Sequence, residues 1–255
     1  MVFPLVSTEW LSVHLMDPEV RVADVRWYLL DRTRTGLAEY QDGHIPGAVF
    51  VDLDGNLASP VGEGPGRHPL PRPEVFEQAM IRAGVDPETL VVAYDDSGGS
   101  SAARLWWLLR YFGHERAVLL DGGINQWIKE GRPLETRTPE VRAGKFRVTD
   151  KPHREWLVDQ EMVAQIASEP NGLVIDSRLG ERYRGEVEPL DPRAGHVPGA
   201  KNAPLAGNLR GPDDFRFLSA RELRERFDWL GASQADRIAA YCGSGINACQ
   251  NIVAL

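Results

Sequence analysis

Val22-Ala-Asp-Val-Arg26 and Gly43-His-Ile-Pro-Gly-Ala48 recur as Val174-Ile-Asp-Ser-Arg178 and Gly195-His-Val-Pro-Gly-Ala200. Both pairs stand 152 residues apart, so the chain carries one unit of sequence twice. A third pair, Val91-Val-Ala-Tyr-Asp-Asp-Ser-Gly98 and Ile238-Ala-Ala-Tyr-Cys-Gly-Ser-Gly245, is offset by 147, so the second unit has lost five residues in between. In that pair Asp95 stands where Cys242 stands.

Each unit alternates short apolar runs with amphipathic stretches. In the first, Val22–Val25, Ala48–Val51, Leu90–Tyr94 and Ala117–Leu120 are predicted strands, and Thr8–Leu15, Pro73–Ala83, Ser101–Phe112 and Ile124–Lys129 predicted helices. Such alternation predicts an α/β fold of two tandem domains, each a parallel sheet covered by helices on both faces. The first domain is expected over residues 1–138, a linker over 139–155 and the second domain over 156–255, because Pro133 to Pro152 is rich in Thr, Arg, Lys and Pro and lacks periodicity. The stretch from Gly62 to Pro73 is a Gly/Pro loop without the Gly-Lys-Ser/Thr of a phosphate cradle, and is expected to cross the surface beside an interdomain cleft. At the offset of 147, Leu255 matches Leu108, so the second unit is expected to be C-terminally truncated, ending before counterparts of the Ala117–Leu120 strand and the Ile124–Lys129 helix.

Cys242 ends a short apolar run and precedes two glycines and a predicted helix from Ile246. Gly243 and Gly245 allow successive amide N–H groups to turn inward as an anion nest, and the helix N-terminus adds positive potential. Surroundings of this kind favour the thiolate, the nucleophilic form of cysteine. The competing reading is a small buried cysteine at a strand end. In sheets of this class ligands bind beyond the carboxyl ends of strands, which is where Cys242 lies. A cysteine-dependent phosphatase would need an arginine six residues on, and position 248 is alanine.

Composition sets wide bounds. There are 29 basic and 37 acidic residues, a formal charge of -8, which argues against nucleic acid or an anionic membrane as partner. The N-terminus lacks a basic signal-peptide region and no long apolar run follows, so a cytoplasmic location is expected. Cys242 and Cys249 stand too far apart along one helix for a disulfide, and with six scattered histidines they match no metal spacing; no metal and no cofactor is expected. Cys249 is expected to face the core, with a resolving role toward an oxidised Cys242 as the alternative.

The repeated Gly-His-Ile/Val-Pro-Gly-Ala, the strands ending Asp-Val/Ser-Arg, the Tyr-Cys-Gly-Ser-Gly loop and Asp121-Gly-Gly-Ile-Asn-Gln-Trp127 together resemble the two-domain rhodanese-type sulfurtransferases, over essentially the whole chain. The resemblance implies a non-catalytic first domain, with Asp95 in place of the cysteine, and a catalytic second one. It implies that Cys242 takes a sulfane sulfur as a persulfide and passes it to a thiol, such as that of thioredoxin, or to cyanide. It further implies 3-mercaptopyruvate as donor, because Gly243 and Ser244 replace the basic residues of thiosulfate-specific loops, with thiosulfate as the alternative. A non-enzymatic sulfur-carrier or interaction module is the alternative of another class. On the same resemblance the substrate residues are Arg182, Arg193, Gly243, Gly245, Ile246 and Asn247, with Asn247 standing where threonine is more usual. Arg193 is taken because Leu190 occupies the place of the second substrate arginine. Ser244 is implied as a catalytic partner of His44, with Asp31 the nearest carboxylate, or else His44, like His196, only shapes the turn before its proline.

Overall fold

The structure is a computed structural model describing residues 4–31, 33–62 and 66–255. The first domain runs β1 (Leu5–Val6), α1 (Thr8–His14), β2 (Val20–Asp24), α2 (Gly36–Asp42), β3 (Val49–Phe50), α3 (Leu53–Asn56), α4 (Pro73–Arg82), β4 (Leu90–Tyr94), α5 (Ser100–Tyr111), β5 (Ala117–Leu120) and α6 (Gly123–Lys129). Its five strands are all parallel, in the order β1-β5-β4-β2-β3. The second domain runs α7 (Gln160–Ser168), β6 (Gly172–Asp176), α8 (Gly180–Arg184), β7 (Lys201–Asn202), β8 (Leu209–Gly211), β9 (Asp214–Phe217), α9 (Ala220–Trp229), β10 (Arg237–Tyr241) and α10 (Asn247–Ala254). It holds a parallel sheet β10-β6-β7 and an antiparallel hairpin β8-β9. The order β10-β6-β7 repeats β4-β2-β3, as the sequence repeat requires.

The eight predicted elements of the first unit form within one or two residues of their expected ends. Side chains alternate across a strand, and here Val91, Ala93 and Leu119 enter one core with α4 and α5, while Val92, Tyr94, Val118 and Leu120 enter another with Leu11, Ile124 and Trp127 of α1 and α6. Both faces are therefore covered. The larger core continues into the second domain through Leu173, Ile175, Phe227, Ile246 and Val253, so α5 and α10 pack in a core common to both domains. The expected linker is not a free crossing: Phe146 is buried between Phe76 and His114, and Gly144, Lys145 and Phe146 donate to carbonyls of Ile81 and Val85.

The repeated motifs form the same network in each copy, buried in the first and partly buried in the second. Arg26 pairs with Asp24, its Nη2 2.6 Å from Oδ2, and donates to the carbonyl of Gly43, while Tyr94 Oη donates to Asp24 and accepts from the amide of Ile45. Arg178, Asp176, Gly195, Tyr241 and Val197 repeat every one of these bonds. The network ties the Gly-His-x-Pro-Gly turn to two strand ends, which is why the motifs recur together.

Candidate active site

The loop after β10 places Cys242 at the floor of a cavity of about 460 Å³ between the domains. The amides of Gly245 and Ser244 point at Cys242 Sγ from 3.1 and 3.5 Å. This requires a left-handed residue, and Gly245 supplies it at φ 74°. The first copy provides an internal control. Asp95, 1% exposed, accepts from the amides of Ser97, Gly99 and Ala102 and from the hydroxyl of Ser101, at 2.8–3.0 Å. Where the repeat lacks the cysteine, its own carboxylate fills the nest, so this turn aims backbone amides at the side chain that follows the strand in both copies.

The two copies differ in what covers the loop. Leu209 and Phe217, on β8 and β9, pack against Gly98 and Gly99 and close the first loop. Over the second loop stands Arg67, from the described part of the Gly/Pro stretch, which lines the cavity with Trp27, Tyr28 and Asp31. Residues 63–65 of that stretch lie outside the described residues.

Of the residues implied by resemblance, Cys242, Gly243, Ser244, Ile246, Asn247 and Arg182 line the cavity, and Gly245 contributes its amide. Arg182, on α8, donates to Glu188 at 2.7 and 3.2 Å and to Asp191 at 2.8 Å. Burial pushes the Glu188 carboxyl up, but bonds from Arg182 and the amides of Asp191 and Leu190 outweigh it and hold the group at about 2. Two expectations fail. Arg193 is exposed and does not line the cavity, because the turn after Pro189 directs Leu190 inward and carries 193 out to solvent. His44 is fully buried away from the cavity: it stacks on Tyr40 at 3.9 Å, its Nδ1–H donates to the Tyr40 carbonyl, and its backbone pairs with Glu135. His196 stacks on Tyr183 in the same way, so both histidines shape the repeated turn.

Three residues of the first domain escaped sequence reading. Besides Arg67, the first domain brings His68, whose Nε2 lies 3.3 Å from Asp54 and whose ring meets Trp27 of the cavity wall edge-on. The third is Arg104 of α5. It is 4% exposed and donates to the carbonyls of Leu57, His68 and Pro69 and, across the domain boundary, to that of Gly245 at 3.4 Å. Burial draws its pKa down, and the thiols of Cys249 and Cys242 oppose that. The signal was legible, since Arg104 is the one charge in the run from Ser100 to Leu109. Gln250 of α10 answers it by donating to the Gly98 carbonyl, so each domain holds the other's loop at repeat-related glycines. Losing one charge-assisted bond is worth about 1.5–3 kcal/mol. Arg104→Lys, which cannot form the same fork, should therefore slow iodoacetamide alkylation of Cys242 by roughly tenfold, measured by mass spectrometry of the native protein.

Cys249 is a poor second nucleophile. It is buried, its Sγ–H donates to the Gly245 carbonyl at 3.1 Å, and burial pushes its thiol up to about 12. Among the described residues no three His, Cys, Asp or Glu side chains group to hold a metal ion. No helix among them is long and apolar enough to cross a membrane.

The family model for the rhodanese-like domain matches residues 7–130. A Pseudomonas aeruginosa protein named a probable 3-mercaptopyruvate sulfurtransferase is 40% identical over 98% of this chain and 88% of its own length. A mitochondrial thiosulfate/3-mercaptopyruvate sulfurtransferase of Arabidopsis thaliana is 35% identical over 96% of this chain and 69% of its own. The crystal structure of the 3-mercaptopyruvate sulfotransferase SseA of Escherichia coli superposes with a TM-score of 0.86 at 34% identity, covering 99% of this chain and 93% of that one. With relatives at 35–40% identity over nearly its whole length and the same duplicated fold, the chain belongs to the rhodanese-type sulfurtransferases.

Proposed function

We propose that 3-mercaptopyruvate is the sulfur donor and that Cys242 is the residue that accepts the sulfur. The observation that carries this reading is Cys242 Sγ facing two amides at the floor of a cavity whose wall holds Arg182, a group suited to a carboxylate. The Cys242 thiolate attacks the donor sulfur, and the sulfur–carbon bond breaks. Its electron pair passes to C3 as the enolate of pyruvate, which takes up a proton. The enzyme is left as the Cys242 persulfide. An acceptor thiolate then attacks the outer sulfur and restores the Cys242 thiolate, giving an acceptor persulfide; cyanide gives thiocyanate instead. The step is ping-pong group transfer without net redox change. Gly243, Gly245 and Ile246 shape the loop, while Ser244 and Asn247 offer hydrogen bonds to the donor's ketone and carboxylate. A thiol acceptor fits a reducing compartment such as the cytoplasm, where free cysteines persist.

Thiosulfate is the second reading, favoured by Arg67 above a loop that lacks a basic side chain of its own. Side-by-side turnover with the two donors decides between them. The expected result is faster transfer from 3-mercaptopyruvate, together with a Cys242 peptide one sulfur atom heavier after donor alone. A clear preference for thiosulfate reverses the assignment.

A further inference from the structure

Asp191 stands between two guanidinium groups at the cavity. One of its oxygens accepts from Arg182 at 2.8 Å, and the other accepts from Arg67 of the first domain. The bridge lies directly over the sulfur loop. A Cβ at position 243 would overlap the Arg67 guanidinium and come within 3.1 Å of Asp191 Oδ2. Glycine at 243 is thus what admits an arginine from the other domain. Leu190 leaves the adjacent segment without a cation, and Arg67 supplies a second one from across the cleft. In the structure the two cations are already neutralised by a carboxylate of the chain itself, so an anionic donor cannot pair with both until that carboxylate leaves.

We propose that Arg67 and Arg182 form a two-guanidinium site for the donor's anionic group, and that Asp191 is an internal carboxylate occupying that site until a donor displaces it. The proposal rests on the reading of Cys242 as the sulfur acceptor, and adds that donor choice is set by competition with Asp191. The exchange breaks two ion pairs and forms two, one carboxylate for another, so no net charge is buried. The bridge is also only partly exposed, at 23% and 25% for Arg67 and Asp191, which makes it stronger than a surface pair yet open to exchange. Neutralising Asp191 should favour a dianion such as thiosulfate more than a monocarboxylate, because the charge of Arg67 is then uncompensated beside Arg182, which keeps only Glu188.

The test uses pyruvate and thiosulfate as probes, titrated calorimetrically into full-length protein carrying Cys242→Ser, so that binding is read without turnover. Adding Asp191→Asn should tighten pyruvate several-fold and thiosulfate by more. Adding Arg67→Ala should weaken both probes and reduce the gain from Asp191→Asn, since the carboxylate would then have only Arg182 to withhold. Asp191→Ala repeats the measurement should the asparagine variant fold poorly. Unchanged or weaker binding after Asp191→Asn, or a gain of the same size with and without Arg67, overturns the proposal. Because sulfur transfer is assayed separately with Cys242 present, a protein that transfers sulfur but shows no Asp191 effect refutes this proposal alone. One that shows the effect without transferring sulfur from 3-mercaptopyruvate refutes the donor assignment instead.

Discussion

Cys242→Ser should lose sulfur transfer from any donor by on the order of 10³-fold or more, the scale on which removing a covalent nucleophile acts, while its denaturation midpoint stays near that of the parent. A serine hydroxyl is far less acidic than a thiol and forms no persulfide. No neighbour can take the place of Cys242. Cys249 is buried and its thiol is pushed up to about 12, so it stays protonated at neutral pH and is out of reach of a donor. The first copy offers no reserve nucleophile either, since Asp95 fills its nest and Leu209 and Phe217 cover it. Stability should hold because the serine hydroxyl is smaller than the thiol and still accepts from the amides of Ser244 and Gly245. Thiocyanate formation and intact-mass detection of the persulfide measure the loss. Transfer surviving in the variant would move the sulfur site off Cys242.

Much of this was legible because the chain repeats itself. A motif that recurs at fixed spacing must be explained twice by the same contacts, and the Asp24–Arg26 and Asp176–Arg178 networks do so bond for bond. Strand and helix positions were legible because β2, β4 and β5 are buried on both faces and read as apolar runs between amphipathic helices. The cysteine loop was legible because glycine after a strand admits the left-handed backbone that turns amides toward the sulfur, as Gly245 does at φ 74°. What failed was contact between domains. Arg67 and His68 lie in a Gly/Pro loop with no periodicity, and only the docking of α5 on α10 determines that this loop overlooks Cys242. His44 was paired with Ser244 by motif, yet a histidine kept in both copies serves what both copies share, which is the turn. Asp191 carried no signal at all, since a carboxylate that bridges two arginines is defined by their positions and not by its neighbours in sequence.

The repeat also separates folding from catalysis by mutation. Asp24→Ala should destabilise the protein by about 3–5 kcal/mol, the cost of leaving one partner of a buried ion pair alone. Asp24 is fully buried and Arg26 is 6% exposed. Without the carboxylate, Arg26 keeps only the Gly43 carbonyl, and Tyr94 Oη loses its acceptor while still serving the amide of Ile45. Asp176→Ala removes the equivalent carboxylate, but Arg178 retains Glu188 at 3.3 Å as well as the Gly195 carbonyl, so its stability loss should be the smaller of the two. Its effect on turnover should be the larger. Tyr241, which donates to Asp176, is bonded directly to Cys242 in the chain, and Arg178 and Arg182 share Glu188, so freeing Arg178 disturbs both the sulfur loop and the donor arginine. Urea denaturation gives the first ordering, and turnover of the folded fraction at low temperature gives the second. If Asp24→Ala lost turnover as deeply as Asp176→Ala while still folded, the first domain would be contributing to catalysis through its strand ends, and not only through α5 and the Arg67 loop.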